Sequence, residues 1–138
     1  MSDGPGVPRV VALVDDLMFL SRIREAAKGA SVEVKAVRTA ADALAAARAG
    51  ARLVLVDLDS ARLPSTATLA ALRADPGLAS LAVVGFFSHV HAERGREAMA
   101  AGATTVLPRS AFVQTLDTLL AAAARGEAPA GAGPGHAG

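Results

Sequence analysis

The chain has 138 residues, the size of one domain, and a formal net charge of +1 with its Lys and Arg scattered, so no nucleic-acid partner is predicted. Hydrophobic residues make up 52% of it and aromatics only 3%, which calls for an aliphatic core filled by Leu and Val. The absence of cysteine excludes a disulfide framework, a thiolate metal site and a cysteine nucleophile, and fits a reducing compartment.

Residues 1–8 are Gly/Pro-rich and carry no apolar segment of the kind a signal peptide needs. No apolar run approaches the length of a membrane span, so a cytoplasmic location without a membrane partner is expected. Residues 126–138 are almost wholly Gly, Ala and Pro, with too little apolar surface to offset ordering entropy. Both ends are therefore expected to be disordered, around one folded domain at residues 9–125.

Within that domain, short apolar runs alternate with longer alanine-rich segments of helical period, the pattern of βα repeats around a parallel sheet. Val10-Val11-Ala12-Leu13-Val14 is continuously apolar, as in a strand covered on both faces, and ends in Asp15-Asp16. A helix follows in which Leu17, Leu20, Ile23 and Ala27 form the apolar stripe and Gly29 is the stop. Residues 32–37 alternate apolar with Glu33 and Lys35, which predicts an edge strand with one wet face. Thr39 is placed to cap a helix over 40–49, ended by Gly50. Leu53-Val54-Leu55-Val56 is the third strand, again fully apolar, and runs into Asp57. Pro64 and Ser65 open the next helix, which Asp75-Pro76-Gly77 stops. The remaining elements are a strand at 81–87, a helix at 92–101, a strand at 104–107 and a helix at 112–124. Right-handed crossovers make these five units a three-layer (βα)5 sandwich.

Ligands of open parallel sheets bind beyond the carboxyl ends of strands, where the strand order reverses. In the order 2-1-3-4-5 that point lies between the first and third strands, so Asp15, Asp16 and Asp57 share one cleft. Three such carboxylates repel unless a cation joins them, and oxygen-only ligands suit Mg²⁺ with phosphate as partner. The simpler alternative is that strand-end aspartates cap the following helices through their N–H groups.

Three segments resemble receiver domains of two-component response regulators. They are Ala12-Leu13-Val14-Asp15-Asp16 before an Arg-bearing helix, Leu53-Val54-Leu55-Val56-Asp57, and Ala101-Gly102-Ala103 leading to a basic residue after the fifth strand. The resemblance spans about residues 9–124 and supplies the strand order 2-1-3-4-5 of a doubly wound, flavodoxin/CheY-like sheet. It implies that Asp57 accepts a phosphoryl group from a histidine kinase or phosphotransfer protein, as a carboxylate nucleophile. It also implies a Mg²⁺ site formed by Asp15, Asp16, Asp57 and the backbone carbonyl of Asp59.

Other positions depart from the family pattern. Arg109 replaces its Lys, exchanging a compact ammonium for a wide planar fork, and Ser110 stands where proline is usual. Phe87 falls at the Thr/Ser switch position, with Ser88 one residue later, and a one-residue slip turns a strand side chain to the opposite face. Either a bulge brings Ser88 inward or the hydroxyl is missing. Val106 occupies the place of the aromatic switch residue, and the loop after Asp57 has Pro64 in place of an earlier proline. Phe86 and Phe87 read as core on opposite faces, or as one ring lying over the acid cleft. His89 and His91 read as loop or helix-cap residues, with metal binding or pH sensing as the sharper option. Arg94 and Arg96 read as a solvated helix face. Leu116, Leu119 and Leu120 serve a core or a dimer equally well.

The leading expectation is a stand-alone receiver phosphorylated on Asp57 that signals by binding a downstream protein. It is not an enzyme beyond self-phosphorylation and autodephosphorylation. The alternative is a pseudo-receiver, a phosphate-independent interaction module, favoured by Arg109, Phe87 and Val106. A third reading takes Asp57-Leu58-Asp59 as the Asp-x-Asp of haloacid-dehalogenase-like phosphatases, a motif weak without its context.

Overall fold

A computed structural model describes residues 9–88 and 91–126. The terminal segments 1–8 and 127–138, expected to be disordered, and His89 lie outside the described residues.

Five parallel strands alternate with five helices: β1 (Arg9–Leu13), α1 (Leu17–Ala30), β2 (Glu33–Val37), α2 (Ala40–Arg48), β3 (Ala51–Asp57), α3 (Ser65–Ala74), β4 (Ala82–Phe87), α4 (Ala92–Ala101), β5 (Thr105–Pro108) and α5 (Arg109–Arg125). The sheet order is β2-β1-β3-β4-β5, as the resemblance implies, with β2 at the edge. Alternation along the strands divides the core into two layers. Val10, Ala12, Leu53, Leu55, Val84 and Phe86 face α1 and α5. Val11, Leu13, Val54, Val56 and Val83 face α2, α3 and α4. Each fully buried Val, Leu or Phe contributes roughly 1.5–3 kcal/mol of transfer free energy.

Local signals set most boundaries. Thr39 Oγ1 accepts the Asp42 N–H at 3.0 Å and starts α2. Asp75 accepts the Gly77 N–H and turns the chain out of α3 into a short 3-10 turn over Pro76–Leu78.

Three boundary expectations are corrected. α1 does not stop at Gly29; Ser31 takes the left-handed cap conformation, at φ 60°, one turn-closing step later. The buried stripe of α1 is Phe19, Ile23 and Ala27, spaced by four, while Leu17 is 79% exposed at the helix start. α5 begins at Arg109, three residues before the expected Phe112, because Pro108 fixes the entry φ at −58° and leaves no connecting loop. Gly126, assigned by sequence to the tail, is the left-handed cap of α5. Leu116, Leu119 and Leu120 are buried in the α1/α5 layer, which assigns them to the core.

Candidate functional site

The carboxyl ends of β1 and β3 lie side by side, since Leu13 pairs with Val56, and the chain leaves them in opposite directions. Asp57, the last residue of β3, is only 3% exposed. Its Oδ1 accepts the backbone N–H of Asp59 at 2.9 Å, and its own carbonyl accepts the Ser65 hydroxyl at 2.7 Å. Burial pushes the Asp57 carboxyl above its usual range; the Asp59 N–H and the Arg109 guanidinium oppose that, while the charges of Asp59 and Asp15 add to it.

Asp16 performs the capping role that was the simpler alternative: its Oδ1 accepts the Phe19 N–H at 3.1 Å and starts α1. Its other oxygen faces Arg109 at 4.0 Å. Arg109 is the first residue of α5, and its guanidinium also reaches Asp57 Oδ1 at 3.7 Å and Asp59 Oδ2 at 3.6 Å. One side chain thus contacts three carboxylates. It lies over the Phe19 ring at 4.9 Å and the Phe86 ring at 5.7 Å from their centroids, which orients the fork. Phe86 stacks in turn on Phe112, at 4.4 Å, and packs on Phe19, at 4.8 Å. Three of the four phenylalanines therefore form one aromatic floor beneath the guanidinium. Sequence reasoning noted Phe86 and missed the floor, because residues 19, 86 and 112 meet only through the fold.

The Phe87/Ser88 question resolves without a bulge. β4 pairs with β3 and β5 in unbroken register to its last residue. Phe86 faces the α1/α5 layer, and Phe87 turns to the opposite one, where its ring packs on Gly95 of α4. Phe87 is therefore not at the acid cleft. Ser88, beyond the strand end, lines a cavity of about 760 Å³ with Asp16, Phe19, Arg22, Arg109 and Val113. Val106 is packed with the α2/α3/α4 layer.

Asp59 enters the sequence reading through its backbone carbonyl and the phosphatase motif; the structure makes its side chain a hub. Oδ2 accepts the Ser88 N–H at 2.7 Å, and Oδ1 pairs with His91 Nδ1 at 3.2 Å and with Arg94 at 3.5 Å. With Arg109 at 3.6 Å, both oxygens are engaged. Arg94 is thereby corrected from a solvated face: it also approaches the Leu58 carbonyl at 3.4 Å. His91 stands at the start of α4 without a capping bond, its ring drawn to Asp59 instead.

Asp15, Asp16 and Asp57 offer oxygen donors only, the chemistry that Mg²⁺ takes, so the residues fit that ion in kind. Among the described residues no three His, Cys, Asp or Glu side chains gather to grip a metal. The Asp16 and Asp57 carboxylates instead face Arg109. No helix among the described residues is long and apolar enough to cross a membrane.

No protein-family model matches the chain, and no curated protein matches it. Solved structures do. A response regulator from Hahella chejuensis superposes with a TM-score of 0.72 at 20% identity, over 84% of this chain and 94% of that one. The phosphorylated cyanobacterial phytochrome response regulator RcpA gives 0.66 at 20%, over 83% and 89%. The Mn²⁺-bound form of response regulator Rcp1 gives 0.66 at 14%, over 81% and 91%. The chain has the CheY-like receiver fold.

Proposed function

We propose that this domain is a response-regulator receiver that takes a phosphoryl group on Asp57 from the phosphohistidine of a kinase or phosphotransfer protein and reports its state to a downstream protein. The observation that carries the reading is Asp57 itself: a buried carboxylate at the end of the central strand, with a guanidinium 3.7 Å away. In the transfer, an Asp57 carboxylate oxygen forms a bond to phosphorus as the P–N bond of the donor breaks. The imidazole nitrogen leaves with the electron pair and takes up a proton. Arg109 offers its N–H groups to the phosphoryl oxygens, and the Asp59 N–H holds the acceptor carboxylate in place. Asp15, Asp16, Asp57 and the Asp59 backbone carbonyl would hold Mg²⁺, which neutralises charge on the phosphoryl oxygens. Phosphorylated RcpA and Mn²⁺-bound Rcp1 are neighbours in fold that support this reading.

A second reading, a phosphate-independent interaction module, is favoured by one observation: Arg109 already binds three carboxylates. Intact mass after incubation with Mg²⁺ and acetyl phosphate separates the two. A single phosphoryl adduct that Asp57→Asn abolishes supports the receiver; an unmodified mass at saturating donor supports the module.

A further inference from the structure

Asp59 and Arg109 together connect the acceptor to α4 along a path that uses neither a strand-end hydroxyl nor an aromatic switch. Phe87 and Val106 occupy those two places and both pack in the α2/α3/α4 layer, away from Arg109. A different set of contacts bridges the gap. Arg109 is shared between Asp57, at 3.7 Å, and Asp59, at 3.6 Å. Asp59 in turn holds the end of β4 through the Ser88 N–H and the start of α4 through His91 and Arg94. The Asp59 side chain is only 13% exposed, so water screens these contacts weakly.

We propose that Asp59 is the positioning residue that relays the charge state of Asp57 to the first turns of α4, through competition for Arg109; this rests on the receiver reading for its trigger. A phosphoryl group on Asp57 adds anionic oxygens that a guanidinium binds in a fork, so Arg109 gives up its ion pair with Asp59 for hydrogen bonds to the phosphoryl group. Asp59 then lacks one cation. Its charge falls on the Ser88 N–H, His91 and Arg94, which tightens the β4–α4 connection. Substitution of Arg109 by a neutral residue releases Asp59 in the same way without any phosphate.

The test is amide hydrogen exchange at Ser88 and over residues 94–98 of the full chain, in a cycle of Arg109→Gln, Asp59→Asn and the double variant. Asn keeps an acceptor oxygen for the Ser88 N–H and nearly the same volume, and Arg94→Gln is a second variant that cuts the path at α4 while leaving Asp59 and Arg109 intact. Arg109→Gln is expected to slow exchange at these amides about threefold when Asp59 is present, and to leave it unchanged in the Asp59→Asn background. Arg94→Gln is expected to weaken the effect over 94–98, where the His91 contact with Asp59 remains, and to retain it in full at Ser88. An equal effect of Arg109→Gln with and without Asp59, or none in either, overturns the proposal. Because this cycle needs no phosphodonor, it decides the relay independently of the adduct mass, which alone decides the receiver reading.

Discussion

Gly95 lies against the ring of Phe87: a Cβ at that position would stand 2.9 Å from Cε1 of the ring and 3.3 Å from two more of its carbons. The contact explains a glycine in the interior of α4, where it costs about 1 kcal/mol of helix propensity relative to Ala. Gly95→Ala is therefore expected to destabilise the domain by about 1 kcal/mol net, since overpacking outweighs the gain in propensity. In Phe87→Leu the same Gly95→Ala change is expected to be neutral or stabilising. Urea melts of the four proteins check this; a stabilising Gly95→Ala in the wild-type background would show that the ring moves aside freely.

Asp57 makes the fold depend on pH in a defined direction. Burial raises its carboxyl above the ordinary value of 3.8, so the folded state binds the proton more tightly than the unfolded state. Stability is then highest below the unfolded value and falls as pH rises through the folded value. Asp57→Asn is expected to raise the Tm at pH 7, and the advantage is expected to shrink as pH drops toward 4. Thermal melts of both proteins between pH 4 and 8 read this out, and a lower Tm for Asp57→Asn at pH 7 would contradict it.

A Mg²⁺ ion held as proposed would compete with Arg109 for the oxygens of Asp16 and Asp57. Removing the guanidinium frees Asp16 and Asp57, so Arg109→Gln is expected to bind Mg²⁺ roughly tenfold more tightly than the wild type, about 1.4 kcal/mol. Calorimetric titration with MgCl2 measures the difference. Equal affinities would mean that the guanidinium and the ion use separate positions.

At the opposite end of the sheet, Arg52 donates to the Ala123 and Ala124 carbonyls, at 3.2 and 3.1 Å, and places a cation at the C-terminus of α5. Arg52→Ala is expected to cost about 0.5–1 kcal/mol, less at high salt because the site is near the surface. Denaturant midpoints in 20 mM and 500 mM NaCl test both the loss and its salt dependence.

Much of the fold was legible in the sequence because its signals are local. The unbroken apolar runs of β1 and β3, the alternation of β2, the Thr39 cap and the Asp75-Pro76-Gly77 stop each act within a few residues. The placement of Asp57 at a strand end also follows from its own neighbours. Boundaries failed where a local signal had a competitor: Ser31 took the left-handed position expected of Gly29, and Pro108 admitted α5 directly from β5. The order of the strands came from a family resemblance, since the period of a strand says nothing about which strand lies beside it.

Composition and spacing thus determined the alternation of β and α and the acids at the ends of β1 and β3, while the aliphatic core they called for holds three phenylalanines in its α1/α5 layer. Only the tertiary structure decided what those acids face. The floor of Phe19, Phe86 and Phe112, the sharing of Arg109 among Asp16, Asp57 and Asp59, and the grip of Asp59 on Ser88, His91 and Arg94 join residues 26 to 93 positions apart. Such contacts depend on which strands are adjacent and which way each side chain leaves its strand, and both are fixed only when the sheet assembles between its helical layers.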